Sequence, residues 1–497
     1  MSSKETEGLL AGSVEQAYLE NRSAGGKRRT EALGALQAMY VFQFCGSLAY
    51  GMWAVISPYF LEARGYSTVG AANMYTMAWV AYNVGQIIMS PIAGDIADGH
   101  GRRPVFLASA FVVTIFFLTF VYPASWWWIT GSFFQGAADV SWGLANAVVV
   151  DCVGQGVVPG GAEDWAPIRA FRAVATGLRH DTLDDNVRQE LAVAMESVWI
   201  LGGAGALVGS ALAYPVWTYF NDGAAMAFPG VFYATLLWFA YEKFPETRPD
   251  QAAAQRLDSP AAVGAAIRDG IASQAEAIPL VLRDRRAAWL VGSYFTLYVV
   301  MTGLLNIGIY WGQATFGWGI ESGTVFTCLS IAAPFVGAVA ASAALFPSSL
   351  RYARSVALLL ALSIVGSLAV GFLDDSAAAL TLVPLATVGW GVFPTLTALL
   401  TPEASGDQQG HLQGTLLCAL WATTNVGGLV GLGLYLLVYN ATAGAAPPTG
   451  SAVWLLSAGG MAIAALCALA AGEPEQEAFS LVKFVRSGRV SVPDANI

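Results

Sequence analysis

Charge is scarce in this chain. Only 12% of its 497 residues are Asp, Glu, Lys or Arg, whereas soluble domains carry about 25%. The three histidines are scarcer still, and the five cysteines lie in or at the ends of apolar segments without metal-ligand spacing. We therefore expect reduced thiols, no metal site and no resident cofactor. The formal net charge of −10 argues against nucleic acid as a partner.

Catalytic signatures are also missing. The polar segments contain no nucleophile–base pair and no phosphate-binding loop, so an enzyme is not expected. Apolar residues, in contrast, make up 56% of the chain, and the mean hydropathy is +0.56. The 54 glycines and 16 tryptophans suit close helix packing and anchoring at membrane interfaces. This composition indicates a protein that is solvated mostly by lipid.

The long apolar runs predict membrane-spanning helices. A spanning helix needs about 20 mostly apolar residues, and non-alternating runs favour helices over a barrel. Twelve segments meet this criterion: residues 34–61, 70–97, 104–123, 126–152, 193–219, 225–244, 287–316, 322–346, 352–373, 376–400, 410–438 and 451–471.

The basic residues predict the topology. If both termini are cytosolic, every Lys and Arg except Arg64 falls on the cytoplasmic side. Asn440-Ala441-Thr442 then lies outside, where it could accept a glycan. The predicted organisation is an N-terminal tail 1–33, a six-helix half 34–244 with a cytosolic insert 154–190, a cytosolic linker 245–286, a second six-helix half 287–471 and a cytosolic C-terminal tail 472–497.

The connection between the second and third segments carries a distinctive pattern. It reads Gly-Asp-Ile-Ala-Asp-Gly-His-Gly-Arg-Arg-Pro over residues 94–104, a short loop with adjacent arginines. Its glycines allow two helix ends to approach closely, and its acids can pair with arginine. The pattern resembles G-x-x-x-D-x-x-G-R-R of major facilitator superfamily transporters. The resemblance implies a cytoplasmic latch made of Gly94, Asp98, Gly101, Arg102 and Arg103.

Other segments extend this resemblance along the chain. Phe244-Pro245-Glu246-Thr247 follows the sixth segment, Phe393-Pro394-Thr395 lies in the tenth, and residues 406–414 are close to Q-Q-G-x-x-Q-G before the eleventh. Within the superfamily the chain resembles tetracycline-efflux and hippocampus-abundant-transcript-like transporters. It departs from them at Ser132, where the family has arginine, and at Ser210, where the antiporter pattern has proline. The resemblance implies the twelve-helix major facilitator fold.

Asp139 is the acid that the predicted spans place nearest mid-membrane, since Asp151 and Glu196 lie nearer cytoplasmic helix ends. A charged side chain is costly in hydrocarbon, and no Lys or Arg is placed at that depth to pair with it. Burial favours the protonated acid, so Asp139 is our candidate for proton coupling. The alternative is a neutral acid that braces two helices through Gln or Ser neighbours.

Polar and aromatic side chains recur at helical spacing on several predicted helices. Such faces point away from lipid, and the resemblance implies a cavity lined by helices one, four, seven and ten. The alternative for any one of these polar faces is that it binds a neighbouring helix instead of a solute. The predicted solute-binding residues are Tyr40, Gln43, Ser47, Tyr50, Gln135, Trp142, Asn146, Tyr294, Tyr298, Thr302, Asn306, Trp390, Thr395, Trp421 and Asn425.

These residues predict a secondary active transporter that works by alternating access as a monomer in the bilayer. Amides, hydroxyls and aromatic rings suit a small uncharged polar or amphipathic solute better than a polyanion, which would need arginines. Two alternatives stay open: an uncoupled facilitator of a sugar-like solute, and a transporter-fold receptor or chaperone. The direction of transport, uptake or efflux, stays open too. Glu5-Thr6-Glu7-Gly8-Leu9-Leu10 resembles an acidic dileucine signal, so we expect a plasma or endolysosomal/vacuolar membrane.

Overall fold

A computed structural model represents the chain. It describes residues 3–139, 144–145, 148–149, 152, 186–246, 268, 285–345, 352–393, 396, 409–443 and 451–472. Within them, side chains are described except at residues 3–30, 91, 94–95, 98–100, 186–197, 339–345, 352–355 and 409–422. The predicted insert 154–190 and linker 245–286 therefore lie largely outside the described residues, and the domain boundaries stay predictions.

The described residues contain no β-strand, and twelve α-helices can be delimited among them, each overlapping one predicted segment. In chain order these are α1 Ser3–Ala63, α2 Thr68–His100, α3 Arg102–Thr119, α4 Ser125–Ala138, α5 Asn186–Tyr219, α6 Asp222–Lys243, α7 Arg285–Phe316, α8 Ile320–Leu345, α9 Tyr352–Gly371, α10 Ser376–Thr387, α11 Gln409–Thr442 and α12 Ala452–Ala471.

Length and apolar composition confirm an all-α membrane fold. Among the described residues, seven helices are long and apolar enough to cross a bilayer: α1 from Glu31, α3, α5 from Val198, α6, α7, α8 and α12. Large apolar side chains such as Phe111, Trp126 and Leu466 are exposed on the outer surface, as lipid contact requires. That the remaining helices also cross, and that both termini are cytosolic, stay predictions.

The helices pack as two repeats of six. In the first half α1 packs on α5 and α6, α2 on α4, and α3 on α6; in the second, α7 packs on α11 and α12, α8 on α10 and the turn after it, and α9 on α12. Every pairing thus recurs with both helix numbers raised by six. The halves meet mainly through α2 with α11 and α5 with α8; these two contacts correspond when the halves are exchanged, α2 with α8 and α11 with α5. Such internal repeats are typical of secondary transporters.

Two helices depart from the prediction near their middles. The sequence predicts a continuous fourth helix over 126–152, but α4 ends at Ala138, and helical residues are described again from Leu144. The tenth, predicted over 376–400, changes from α-helix to a 3₁₀ turn at Val388–Val392. Glycine is a poor helix former, and the amide of Gly389 donates to Ser363 Oγ at 2.7 Å. The interruptions lie in α4 and α10, which are repeat partners.

Helix ends also differ from the prediction. α1 begins at Ser3 instead of residue 34, through a tail that contains no proline to stop it. The predicted loop over residues 94–104 is shorter than expected, because α2 continues to His100 and only Gly101 separates it from α3. The predicted glycan acceptor Asn440 lies inside α11, and its Nδ2 donates to Asn73 Oδ1 of α2 at 2.8 Å.

Candidate functional site

Asp139 lies where α4 ends, and it is 1% exposed. Its backbone leaves helical geometry (φ −79°, ψ 86°), while its amide still donates to the carbonyl of Gln135 at 2.8 Å. A helix end leaves carbonyl groups without helical donors. Gln86 of α2 meets this need by donating from Nε2 to the backbone oxygen of Asp139 at 3.0 Å. The interrupted helix therefore holds the carboxyl group inside the first half.

Two tyrosine hydroxyl groups bind the same oxygen of this carboxyl group. Tyr50 of α1 donates to Asp139 Oδ2 at 2.5 Å, and Tyr82 of α2 donates to it at 2.6 Å. Gln135 donates to the Tyr50 hydroxyl at 3.3 Å and Gln86 donates to the Tyr82 hydroxyl at 3.0 Å. We call Tyr50, Tyr82, Gln86, Gln135 and Asp139 the Asp139 cluster. It joins α1, α2 and α4 through a single carboxyl group.

Aromatic rings surround the Asp139 cluster. Tyr50 has the rings of Trp79, Phe117 and Tyr233 within 6.5 Å, 5.1 Å and 6.0 Å of its own ring centroid. Apolar surroundings lower the local dielectric and strengthen each hydrogen bond of the cluster. The cluster is therefore a buried polar network that three helices share.

The sequence placed Tyr50, Gln135 and Asp139 together but missed Tyr82 and Gln86. Those two are four residues apart on α2, a helical spacing that was visible in the sequence. They lie on helix two, whereas the resemblance implies a cavity lined by helices one, four, seven and ten.

The remaining predicted residues of α1 lie further along the same helix. Gln43 donates to Ser47 Oγ at 3.5 Å, and both side chains are buried. Tyr40 is 1% exposed and packs in the apolar core. These three residues extend a polar face from the Asp139 cluster toward the Arg102 end of the bundle.

The predicted residues of α7 separate into two groups. Tyr294 and Tyr298 contact the ring of Phe393 with centroid distances of 5.1 Å and 5.8 Å. The Thr302 hydroxyl donates to the backbone of its own helix at Tyr298, at 2.7 Å. Asn306 instead bonds across to α2. The structure therefore does not bring the α7 face to the Asp139 cluster as one continuous site.

Two predicted residues of the second half carry buried donors without an acceptor among the described residues. They are the indole nitrogen of Trp390, which is 3% exposed, and the side-chain amide nitrogen of Asn425, which is 1% exposed. A buried donor without a partner costs about 1–3 kcal/mol. These are positions where a polar solute could supply the missing acceptor. Of the other predicted residues, Trp142, Asn146, Thr395 and the side chain of Trp421 lie outside the described residues.

The predicted latch has a partner that the sequence did not assign. Gly101 has φ 95°, which favours glycine, and α3 begins directly after it. Glu246 accepts from the backbone amides of Arg102 at 2.9 Å and Arg103 at 3.2 Å. The Arg103 guanidinium donates to the carbonyl of Tyr241 at 2.7 Å. The glutamate after α6 thus caps α3.

The other latch residues lie within α2. Gly94 and Asp98 belong to the helix rather than to a loop, and the side chain of Asp98 is outside the described residues. The pairing of Asp98 with an arginine therefore stays a prediction.

Comparison with known proteins agrees with this architecture. The sequence profile described as Major Facilitator Superfamily matches residues 39–157. Among curated protein sequences there is no match. The solved structure of the human organic anion transporter MFSD10 (TETRAN) is similar, with a TM-score of 0.59 and 18% identity over 86% of this chain and 99% of that one. The nucleoside transporter NupG is similar with a TM-score of 0.59 and 11% identity over 89% of this chain and 100% of that one.

Proposed function

We propose that this chain is a major facilitator superfamily transporter that carries a small uncharged polar or amphipathic solute by alternating access and couples this movement to a proton at Asp139. The superfamily match over residues 39–157 and the similarity in fold to solved transporters support membrane transport rather than catalysis. The observation that carries the proposal is the buried carboxyl group of Asp139, bound by hydroxyl groups from two other helices.

A proton at Asp139 would change the contacts among three helices. An ionised carboxylate makes charge-assisted hydrogen bonds, which are about twice as strong as neutral ones. Protonation therefore weakens the bonds from Tyr50 on α1 and Tyr82 on α2 at the same time. Because Asp139 lies at the end of α4, this loosens the contact of α4 with α1 and α2. This gives one proton an effect on helix arrangement, which coupling requires.

The solute class rests on the donors of the second half. The indole of Trp390 and the amide of Asn425 offer N–H groups, which bind hydroxyl or carbonyl oxygens of a solute. Neither offers a full positive charge for an anion. Nucleosides, which NupG is named for, fit this class; organic anions, which MFSD10 is named for, fit it less well.

Flux measured in proteoliposomes tests the proposal. Solutes are first selected by their ability to raise the melting temperature of the purified protein, and their uptake is then measured with and without a pH gradient. We expect gradient-driven accumulation by the native protein and only downhill flux by Asp139→Asn. Asp375→Asn is the matched control, because Asp375 caps α10 through its side chain and asparagine caps equally well.

Two results would select the alternatives. Accumulation that is identical in Asp139→Asn, or flux without any response to the gradient, would favour an uncoupled facilitator with a structural Asp139. Absence of flux for every stabilising solute, together with capture of a protein partner, would favour a receptor or chaperone.

Cellular placement is part of the proposal. We propose cytosolic termini, a monomer, and a plasma or endolysosomal/vacuolar membrane. The motif at residues 5–10 lies in α1, and its side chains are outside the described residues. Fluorescence of a tagged protein, with and without Leu9→Ala and Leu10→Ala, distinguishes the two membranes.

A further inference from the structure

A groove lies between α5 and α8, one of the two places where the halves meet. Its volume is about 280 Å³. Its lining includes Ala211 and Tyr214 of α5 and Glu321, Thr324 and Cys328 of α8. Leu212 of α5 and Val325 of α8 are large apolar side chains that are exposed on the outer surface here. In a bilayer such a surface contacts lipid, so the groove opens toward the lipid.

The α8 wall of the groove becomes less polar with depth. Glu321 lies in the first turn of α8, and this helix is long and apolar enough to cross a bilayer. Thr324 follows after three residues and Cys328 after four more, so the three side chains share one face over about 10 Å. An acid at the rim, a hydroxyl group below it and then apolar surface match the headgroup, ester groups and chains of a phospholipid in the same order.

Two polar groups of this wall have no partner in the part of the chain that the structure describes. Glu321 is exposed and forms no ion pair there, and the hydroxyl group of Thr324 is buried without a hydrogen bond although the residue is only 8% exposed. Thr327 on the same helix shows the usual arrangement, since its hydroxyl donates to the Gly323 carbonyl at 2.9 Å. Threonine in a helix has two accessible rotamers, so the Thr324 hydroxyl can turn toward a ligand in the groove.

The size and charge of the groove select the kind of ligand. Pockets that enclose a drug-sized molecule measure about 300–1,000 Å³, so this groove suits one part of a long molecule whose remainder lies in the bilayer. Glu321 is the charged side chain of the lining that the structure describes, so it favours a headgroup that carries a cation. A primary ammonium group also donates hydrogen bonds to a carboxylate, which a quaternary ammonium group cannot do.

We propose that the groove between α5 and α8 binds phosphatidylethanolamine. Its ammonium group pairs with the Glu321 carboxylate, an ester oxygen accepts from the Thr324 hydroxyl, and one acyl chain lies beside Cys328. The two walls belong to different halves, so this site exists while α5 and α8 stay together. The site is separate from Asp139 and does not depend on the proposed solute or proton.

Native mass spectrometry of the full-length protein measures the affinity of this site. The protein in detergent is titrated with phosphatidylethanolamine, phosphatidylcholine or phosphatidylglycerol that carry the same chains. We expect phosphatidylethanolamine to bind about 1.5- to 5-fold more tightly than phosphatidylcholine, the range for an exposed ion pair, and phosphatidylglycerol to bind no more tightly than phosphatidylcholine.

Four variants assign the preference to the groove. Glu321→Gln should remove it, whereas Asp374→Asn should keep it, because Asp374 is an exposed acid between α9 and α10 and does not line the groove. Thr324→Val should weaken the binding of phosphatidylethanolamine and phosphatidylcholine alike by about 2- to 12-fold, the range for one hydrogen bond. Ala211→Leu places a larger side chain in the groove and should lower the number of retained lipids by one.

Alkylation by N-ethylmaleimide shows whether the lipid lies in the groove. One variant keeps Cys328 alone, and a matched control keeps Cys467 alone, which is partly exposed on α12 and does not line the groove. The other cysteines are replaced by alanine. Phosphatidylethanolamine should slow the alkylation of Cys328 in proportion to its occupancy and leave that of Cys467 unchanged.

Several results would overturn the proposal. One is equal alkylation of Cys328 with and without phosphatidylethanolamine, and another is equal affinity of the native protein for phosphatidylethanolamine and phosphatidylcholine. Both use native groove residues, so they decide the matter even if a groove variant fails to fold. A preference that persists in Glu321→Gln, or a preference for phosphatidylglycerol, also contradicts it. Neither assay involves solute flux, so failure here and failure of the proposed function are distinguishable.

Discussion

Gly136→Ala should separate α2 from α4 and thereby damage the Asp139 cluster. A Cβ atom at Gly136 would overlap the backbone oxygen of Tyr82 and stand 2.7 Å from its Cα atom. Carbon atoms in contact need about 3.5 Å or more, so the helices must part by about 1 Å at this crossing. Overpacking of this kind costs about 1–3 kcal/mol. The clash is with backbone, which cannot rotate away as a side chain can.

The separation of α2 from α4 also affects the hydrogen bonds of the Asp139 carboxyl group. Tyr82, whose backbone meets Gly136, donates to Asp139 at 2.6 Å. A shift of about 1 Å lengthens this distance beyond the range of a hydrogen bond. The bond from Tyr50 comes from α1 and should persist. Gly136→Ala therefore combines a packing cost with the loss of one of two donors.

Thermal unfolding of the purified protein, followed by intrinsic tryptophan fluorescence, measures the effect. We expect Gly136→Ala to lower the melting temperature by about 2 °C or more. Gly433→Ala is the control, since a Cβ there meets nothing within 4 Å. Alanine favours a helix over glycine by up to about 1 kcal/mol, so the control should be unchanged or slightly stabilised. Equal melting temperatures for the two variants would refute the argument.

Two further predictions concern the ends of helices. Glu246→Ala should cost about 1–2 kcal/mol, because the first amides of α3 lose their acceptor, and should lower the melting temperature more than Glu242→Ala, an exposed acid of α6. An equal effect of both variants would contradict the capping role. Asn440 should carry no glycan after expression in eukaryotic cells, because its Nδ2 binds Asn73 within α11. Glycosidase treatment that changes the mobility of the native protein, but not of Asn440→Gln, would show otherwise.

The helices were predictable because lipid imposes one simple requirement on them. In lipid, a run of about 20 apolar residues satisfies its backbone hydrogen bonds by forming a helix, so the approximate positions of the helices follow from the apolar runs. Their interruptions were not predictable in this way. At the end of α4, Gln86 of another helix donates to the backbone carbonyl of Asp139. Such a partner is set by packing and not by local sequence.

In the candidate site, too, some residues can be recognised from the sequence and others only from the packing. Asp139 stands out in the sequence because an acid in an apolar run is rare. Tyr82 does not stand out in the sequence. It can donate to Asp139 because α2 and α4 cross closely at Gly136, whose missing side chain leaves room for the Tyr82 backbone. Glu246 cannot be recognised in the sequence as the cap of α3, because it lies more than 140 residues after the start of that helix. Close contacts between distant segments are the information that a single sequence lacks.

The two halves repeat in packing but differ in chemistry. The interruption after α4 holds a carboxyl group, whereas the corresponding 3₁₀ turn after α10 holds the indole of Trp390 and no ionisable side chain. Under the proposed function, the proton therefore binds in the first half and donors for the solute lie in the second. Coupling then has to cross the contacts that join the halves, α2 with α11 and α5 with α8. Asn83 of α2 lies beside Gly428 of α11. Asn83 directly follows Tyr82 of the Asp139 cluster, and Gly428 is three residues from Asn425, so this contact links the proton site to the solute donors along the shortest path in sequence.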